Sequence, residues 1–390
     1  MASACSRQDG RAGSRCGPRA WLAGLCLLLW AQFAHALDPQ RQIAQFHHTA
    51  WTVKQGAPGQ VTALAQTTDG YLWLATQVGL FRFDGVQFER YVPDDGQAFP
   101  ATSISTLYAT ADGGLWIGFR YGAVSFLRAD RRTDYGEAQG LPTSTVFRFA
   151  QGPDGRLWAA TFSGLVYLHE GRWYRVDRDW RVPGTQARTV FTDRDGTLWV
   201  ATDAGIARLR KGAQVFETLD IAVGRISQIA QAPDGGLWIA ENEGGVRQLP
   251  LDGAVTTHSL PAPSAGLLFD RDGTLWATTM GEGVHRLAQP LRPFATNDDA
   301  PFERFRQDDG LSADYLLPVL EDREGTVWVG SIAGTTLVWR KRSSPRCCRT
   351  ARRISPSSPM PTARCWSAAA IVRCWNGMAS TGVRPTCRRH

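Results

Sequence analysis

Five histidines lie in the body of the chain, at His47, His48, His169, His258 and His285. An imidazole serves as general base or metal ligand near neutral pH, but a hydrolase or lyase site needs several such groups aimed at one point. These five are scattered. His47 and His48 are neighbours in a segment that reads as a strand, where adjacent side chains point to opposite faces, so they make a poor chelate. His285, just after Glu282-Gly283, is left as the single candidate general base. Cysteine offers no more. Cys5, Cys16 and Cys26 fall in the first 36 residues and the next cysteine is Cys347, so the body holds neither a disulfide framework nor a thiolate metal site. The acid that recurs is an Asp followed by Gly, one per unit of about 40 residues, which is turn chemistry and not a calcium loop. No cofactor, no metal and no enzymatic activity are expected.

Those Asp-Gly pairs belong to a repeat. Asp69-Gly70-Tyr71-Leu72-Trp73 returns as Asp112-Gly113-Gly114-Leu115-Trp116 and Asp154-Gly155-Arg156-Leu157-Trp158. Asp195-Gly196-Thr197-Leu198-Trp199, Asp234-Gly235-Gly236-Leu237-Trp238 and Asp272-Gly273-Thr274-Leu275-Trp276 follow, and Glu324-Gly325-Thr326-Val327-Trp328 is the last. The Trp spacings are 43, 42, 41, 39, 38 and 52 residues. A period near 40 with several short strands per unit predicts a β-propeller. In the first unit Val61–Gln66 is an apolar strand, Asp69-Gly70 a tight turn, Tyr71–Thr76 a second strand, Leu80–Phe83 a third and Gln87–Tyr91 a fourth. The expected fold is therefore all-β: seven blades of four antiparallel strands over residues 45–340. Each Trp is a structural wedge between neighbouring blades.

The first and last segments stand apart. Arg7, Arg11, Arg15 and Arg19 precede the apolar run Trp21–Phe33, and Ala34-His35-Ala36 fits a cleavage site, so residues 1–36 read as an export signal and the product as periplasmic. Residues 341–390 carry ten Arg, one Lys, five Cys and no acid. The formal net charge of +7 thus comes from the two ends, and residues 37–340 are left at −7. That balance gives no reason to expect nucleic acid as a partner. The tail lacks Asp-Gly turns and strand alternation; its composition predicts disorder and resembles an out-of-frame reading. Ala288–Pro301 and Pro93–Pro100 read as surface loops. Gln45–Val53 looks like an orphan fourth strand, since His48–Val53 precedes Lys54-Gln55-Gly56-Ala57-Pro58 much as Phe302–Arg306 precedes Gln307-Asp308-Asp309-Gly310-Leu311-Ser312. The last unit, Leu316–Arg340, lacks a fourth strand of its own. His47–Val53 is expected to supply it and to hide both free edges.

The unit Val-x-x-[Leu/Ile]-x-x-x-x-Asp-Gly-x-Leu-Trp, led by Gly140-Leu141-Pro142 or Gly310-Leu311-Ser312, resembles the two-component regulator propeller repeat. Phe46–Val53 and Phe83–Phe88 resemble the opening blade of such sensors. The resemblance implies a periplasmic input domain of a membrane histidine kinase or diguanylate cyclase. Such receptors place an immunoglobulin-like domain, one membrane helix and an output module after the propeller, and they dimerise. None of these motifs appears here, so the chain reads as a truncated receptor whose membrane link lies in a missing C-terminal part.

A propeller presents its variable loops at one mouth of the central channel, and a constant frame with variable loops is how a scaffold displays a site. The loop residues singled out for a ligand are Arg120, Tyr121, Phe162, Asp203, Asn242, Glu243 and Glu282. They offer stacking and hydrogen bonds suited to a carbohydrate or a peptide. A free-standing propeller that binds a protein or carbohydrate is the alternative, and a propeller hydrolase or lyase a further one.

Overall fold

The computed structural model describes residues 42–51, 53–93, 96–129, 131–251, 259–288, 290, 302–331 and 336–340. The export signal, the basic tail and nearly all of the 288–301 loop lie outside the described residues.

The described residues form seven four-stranded antiparallel sheets. Six are built from four consecutive strands, as expected: β2 (Val61–Gln66), β3 (Leu72–Thr76), β4 (Gly79–Phe83) and β5 (Phe88–Arg90) make the first. The seventh is composite. There β26 (Leu316–Glu321), β27 (Val327–Ser331) and β28 (Thr336–Arg340) are joined by β1 (His47–Trp51), which pairs with β28 from His47↔Arg340 to Trp51↔Thr336. The last unit does keep three strands; the N-terminal strand replaces the fourth. The parallel read in the sequence has a structural basis. Val53–Gln55 and Gln307–Asp309 are both single 3-10 turns, each ended by a left-handed glycine, Gly56 at φ 85° and Gly310 at φ 115°. Each places a buried apolar residue next, Ala57 or Leu311.

Every second strand is buried along its whole length, because a blade is covered on both faces by its neighbours. The apolar side chains accordingly fall into seven clusters, each shared by two adjacent blades. Trp73 and Ala75 face the second blade, whereas Leu72 and Leu74, one residue out of step, face the last. The period of two in a strand sets this division. The tryptophans are the wedges the repeat predicts, 0 to 7% exposed, and each buried ring contributes roughly 5 kcal/mol of apolar transfer at most.

The seam between last and first blade joins residues distant in sequence. Trp51 stacks on Trp328 with ring centroids 5.6 Å apart. The Arg323 amide donates to Gln66 Oε1 at 2.8 Å, and its guanidinium donates to the Thr68 carbonyl at 2.7 Å.

Candidate functional site: the loop-side mouth of the central channel

The first strand of each blade is innermost, so these seven strands enclose the channel. They comprise β2, β6 (Ile104–Ala109), β10 (Val146–Gln151), β14 (Ala187–Thr192), β18 (Ile226–Gln231), β22 (Ser264–Phe269) and β26. Each touches the next, and β26 touches β2. Each also carries a bulge near its start, at the loop-side mouth. A bulge re-aims one side chain out of the pleat. In three blades the bulge residue is a small hydroxyl that stitches the ring. Thr62 donates to the Ile104 carbonyl (2.8 Å), Ser105 to the Val146 carbonyl (2.6 Å) and Ser227 to the Ser264 carbonyl (2.9 Å), each in the following blade.

The other four blades lack this hydroxyl: the bulge holds Phe147 in the third, Arg188 in the fourth, Ala265 in the sixth, and Leu317 and Pro318 in the seventh, and the position after Phe147 is Arg148. The Arg188 guanidinium lies 5.3 Å from the Phe147 ring centre and 5.6 Å from that of Phe162. Its Nη2 donates to Gln186 Oε1 at 2.7 Å. Desolvation pushes its pKa down, the nearby Arg225 charge pushes it further and Asp203 opposes. Arg148 donates to Gln228 Oε1 at 3.2 Å, a bond from the third blade to the fifth that passes the fourth and so spans the lumen. Gln228 is held by a second pair of bonds, donating to the Leu267 carbonyl at 2.7 Å and accepting the Leu267 amide at 3.2 Å. Arg148 lies deep enough that desolvation lowers its pKa to about 10, which still leaves it charged at neutral pH.

Of the seven loop residues singled out by sequence, Phe162 joins this cluster. Tyr121 is 74% exposed at the same mouth, and Arg120 lies beside it with its carbonyl accepting the Thr145 hydroxyl. Asp203 is occupied as a brace: one oxygen accepts the Thr185 and Gln186 amides at 2.8 and 2.9 Å, and these bonds hold its pKa low against desolvation. Asn242 donates its amide to the Arg225 carbonyl, and Glu243 is exposed. Glu282 turns outward, to within 3.9 Å of Arg304 on the outermost strand and 3.9 Å of His285, so it is not gathered with the others. His285, the candidate base, lies in the third strand of its blade. It is 4% exposed, and neither ring nitrogen makes a hydrogen bond. Desolvation, with smaller and opposing effects of Glu282 and Arg304, lowers its pKa to about 4. It does not line the channel mouth.

Phe147, Arg148, Arg188 and Gln228 went unnoticed in sequence. The available signal was a cation in an otherwise apolar inner strand, Val146-Phe147-Arg148-Phe149.

The Asp-Gly face differs. A concavity of about 450 Å³ there is lined by Gln66, Tyr108, Glu321, Arg323 and Arg271. Arg271 is spent on Glu321 at 2.6 Å and on the Asp322 and Arg323 carbonyls. A second cleft of about 550 Å³ lies between the second and third blades, and its charges pair with each other, Arg128 with Asp112 at 2.9 Å and Arg156 with Asp154 at 3.3 Å. Among the described residues there is no group of three or more His, Cys, Asp or Glu placed to share a metal ion, and no helix is long and apolar enough to cross a membrane.

No family model and no curated protein matches the chain. Solved structures do. The extracellular domain of the hybrid two component system BT3049 from B. thetaiotaomicron superposes with a TM-score of 0.62 and 18% identity, over 75% of this chain and 42% of that one. The extracellular domain of BT4673 from the same organism, a hybrid two component system, gives 0.60 and 21%, over 76% of this chain and 39% of that one. Virginiamycin B lyase from Staphylococcus aureus gives 0.59 and 15%, over 76% of this chain and 99% of that one. The chain thus spans about 40% of the length of the sensor structures. It has the β-propeller fold of these extracellular two-component domains.

Proposed function

We propose that the chain is an extracytoplasmic sensor domain of a two-component-type receptor, taking a small ligand at the loop-side mouth of its channel. Residues 1–36 direct export in this reading, and residues 45–340 form the input domain. The observation that supports it most is the cation at the fourth-blade bulge, Arg188, set between the Phe147 ring and the exposed Phe162 ring at that mouth. Real proteins break their own local rules mainly where function requires it. We assign the propeller no catalytic role: its one candidate base is buried away from the mouth, and the Glu282 carboxylate 3.9 Å from it leans to the outer rim.

Two experiments test this. Translating the other frames beyond Gly334 should give a membrane helix and a transmitter; stops in every frame would leave a free-standing propeller. Thermal denaturation of the full chain against carbohydrate and peptide libraries should find a ligand that raises the midpoint, since binding at a hundredfold its Kd adds about 2.7 kcal/mol. Phe162→Ala and Tyr121→Ala should each shrink that shift. A protein partner recovered by pull-down, with no small molecule shifting the melt, would replace the ligand reading.

A further inference from the structure

We propose that the seam between the second and third blades takes the guanidinium of an arginine on a partner protein. The site goes beyond the sensor reading, for it lies on the Asp-Gly face and not at the loop-side mouth. Three other seams show the chemistry, because there the chain supplies the arginine itself. The residue before the Asp-Gly or Glu-Gly pair is Arg194 in the fourth blade, Arg271 in the sixth and Arg323 in the seventh. Each backbone amide donates to the side chain that ends the inner strand of the following blade. Arg194 meets Gln231 Oε1 at 2.9 Å, Arg271 meets Glu321 Oε2 at 2.9 Å and Arg323 meets Gln66 Oε1 at 2.8 Å. Each guanidinium then donates to the carbonyls just after that side chain. Arg194 reaches Ala232 and Pro233, Arg271 reaches Asp322 and Arg323, and Arg323 reaches Thr68.

The third blade has the acceptors without the donor. Glutamine or glutamate ends the inner strand in the first, third, fifth and seventh blades, as Gln66, Gln151, Gln231 and Glu321. The Gln151 carboxamide is seated like its counterparts: it donates to the Gly155 carbonyl at 3.3 Å, as Gln66 does to Gly70 and Gln231 to Gly235. The second blade, however, carries Ala111 where the fourth, sixth and seventh carry arginine. Among the described residues no donor meets Gln151 Oε1 or the Pro153 carbonyl, and the Gly152 carbonyl takes only the Gly155 amide. Gln151 is exposed, whereas Gln66, Gln231 and Glu321 are half-buried. The cleft of about 550 Å³ is lined by Thr110 and Asp112, which flank Ala111, and by Gln151 and Asp154, which flank the two carbonyls. Three acids of that cleft, Asp112, Asp154 and Glu170, stand with two arginines, Arg128 and Arg156, and His169, a balance that does not repel a cation. Two successive carbonyls suit the planar fork of a guanidinium better than the point charge of an ammonium.

The test is titration of the full chain with N-acetylarginine methylamide, followed by saturation-transfer NMR, with its citrulline and lysine counterparts and free arginine alongside. The arginine compound should bind at least tenfold tighter than the citrulline one, and tighter than the lysine one. Ala111→Arg should weaken that binding at least tenfold and raise the urea midpoint, because the chain then fills the place itself. Ala111→Met, which adds volume without donors, should leave the midpoint unraised. Citrulline or lysine binding as well as arginine, or binding indifferent to Ala111→Arg, would overturn the proposal. Free arginine binding at least tenfold tighter than the blocked compound would assign the place to the amino acid and overturn the protein partner. No binding at all, including the case in which an arginine of residues 341–390 takes the place, would overturn it as well. A circular dichroism melt of each variant separates lost binding from lost folding.

Discussion

At the scale of single residues, four of the blade tryptophans find their partner six positions earlier. Trp199, Trp276 and Trp328 donate their indole N–H to Asp193, Asp270 and Asp322 at 2.7 to 2.8 Å, and Trp73 donates to Thr67 at 2.7 Å. The other oxygen of Asp270 accepts the Asp272 and Thr274 amides, so one carboxylate fixes both the wedge and the turn. Where that position is Gly152 or Ala232, the indole nitrogens of Trp158 and Trp238 are buried without a partner. Asp270→Ala should therefore cost about 2 to 3 kcal/mol in chemical denaturation, the penalty for stranding buried donors. His285 makes stability depend on pH. Its unfolded imidazole titrates near 6.5 and its folded one near 4, so the unfolded chain binds the extra proton between these values. Stability should then fall as pH drops from about 6.5 to about 4 and level off below, by about 3 kcal/mol at most from this group. Burial raises the Asp270 and Asp322 carboxyls, which act with the opposite sign in the carboxylate range. Urea midpoints measured from pH 8 to 4 should show the slope, and His285→Leu should flatten it.

At the scale of elements, the inner strand serves both the interblade cores and the channel wall. Its outer register carries Leu, Ile and Val into the seven interblade clusters, while its bulge aims one side chain at the lumen. The strands and turns were legible in sequence because Asp-Gly-x-Leu-Trp marks the same hairpin in every unit, and a strand covered on both faces leaves an unbroken apolar run. The closing strand was legible too, from the likeness of Gly56-Ala57-Pro58 to Gly310-Leu311-Ser312. The lumen arginines were not. Loop variability drew attention to Arg120, Asp203 and Glu282, whereas bond directions decide which residues are free: Asp203 folds back on two amides and Glu282 leans to the rim. Nothing in a linear string marks position 148 as reaching position 228 across an open ring. The seam offers a prediction of its own. Trp51 packs edge-on against Phe83 and Phe88 as well as stacking on Trp328. Trp51→Ala should destabilise the fold by about 2 to 4 kcal/mol, and hydrogen exchange should rise first in β1 and β28.

At the scale of the whole molecule, seven interblade cores of similar make follow one another round a circle, and none belongs to a single blade. A blade has no interior of its own, so the units depend on their neighbours on both sides. The pairing of His47 with Arg340 fixes when that dependence can be met. A chain made from its N-terminus releases β1 first and β28 last, roughly 290 residues apart. Bringing such distant ends together costs about 5 kcal/mol of chain entropy, only about 2 more than closing a single 40-residue unit. The obstacle is therefore order of arrival and not energy. Until the last strand emerges, β1 waits with its hydrogen bonds unmade and the first blade shows a bare side to the surrounding compartment. The clasp that makes the finished ring edgeless is, during synthesis, the longest-lived sticky edge the protein has.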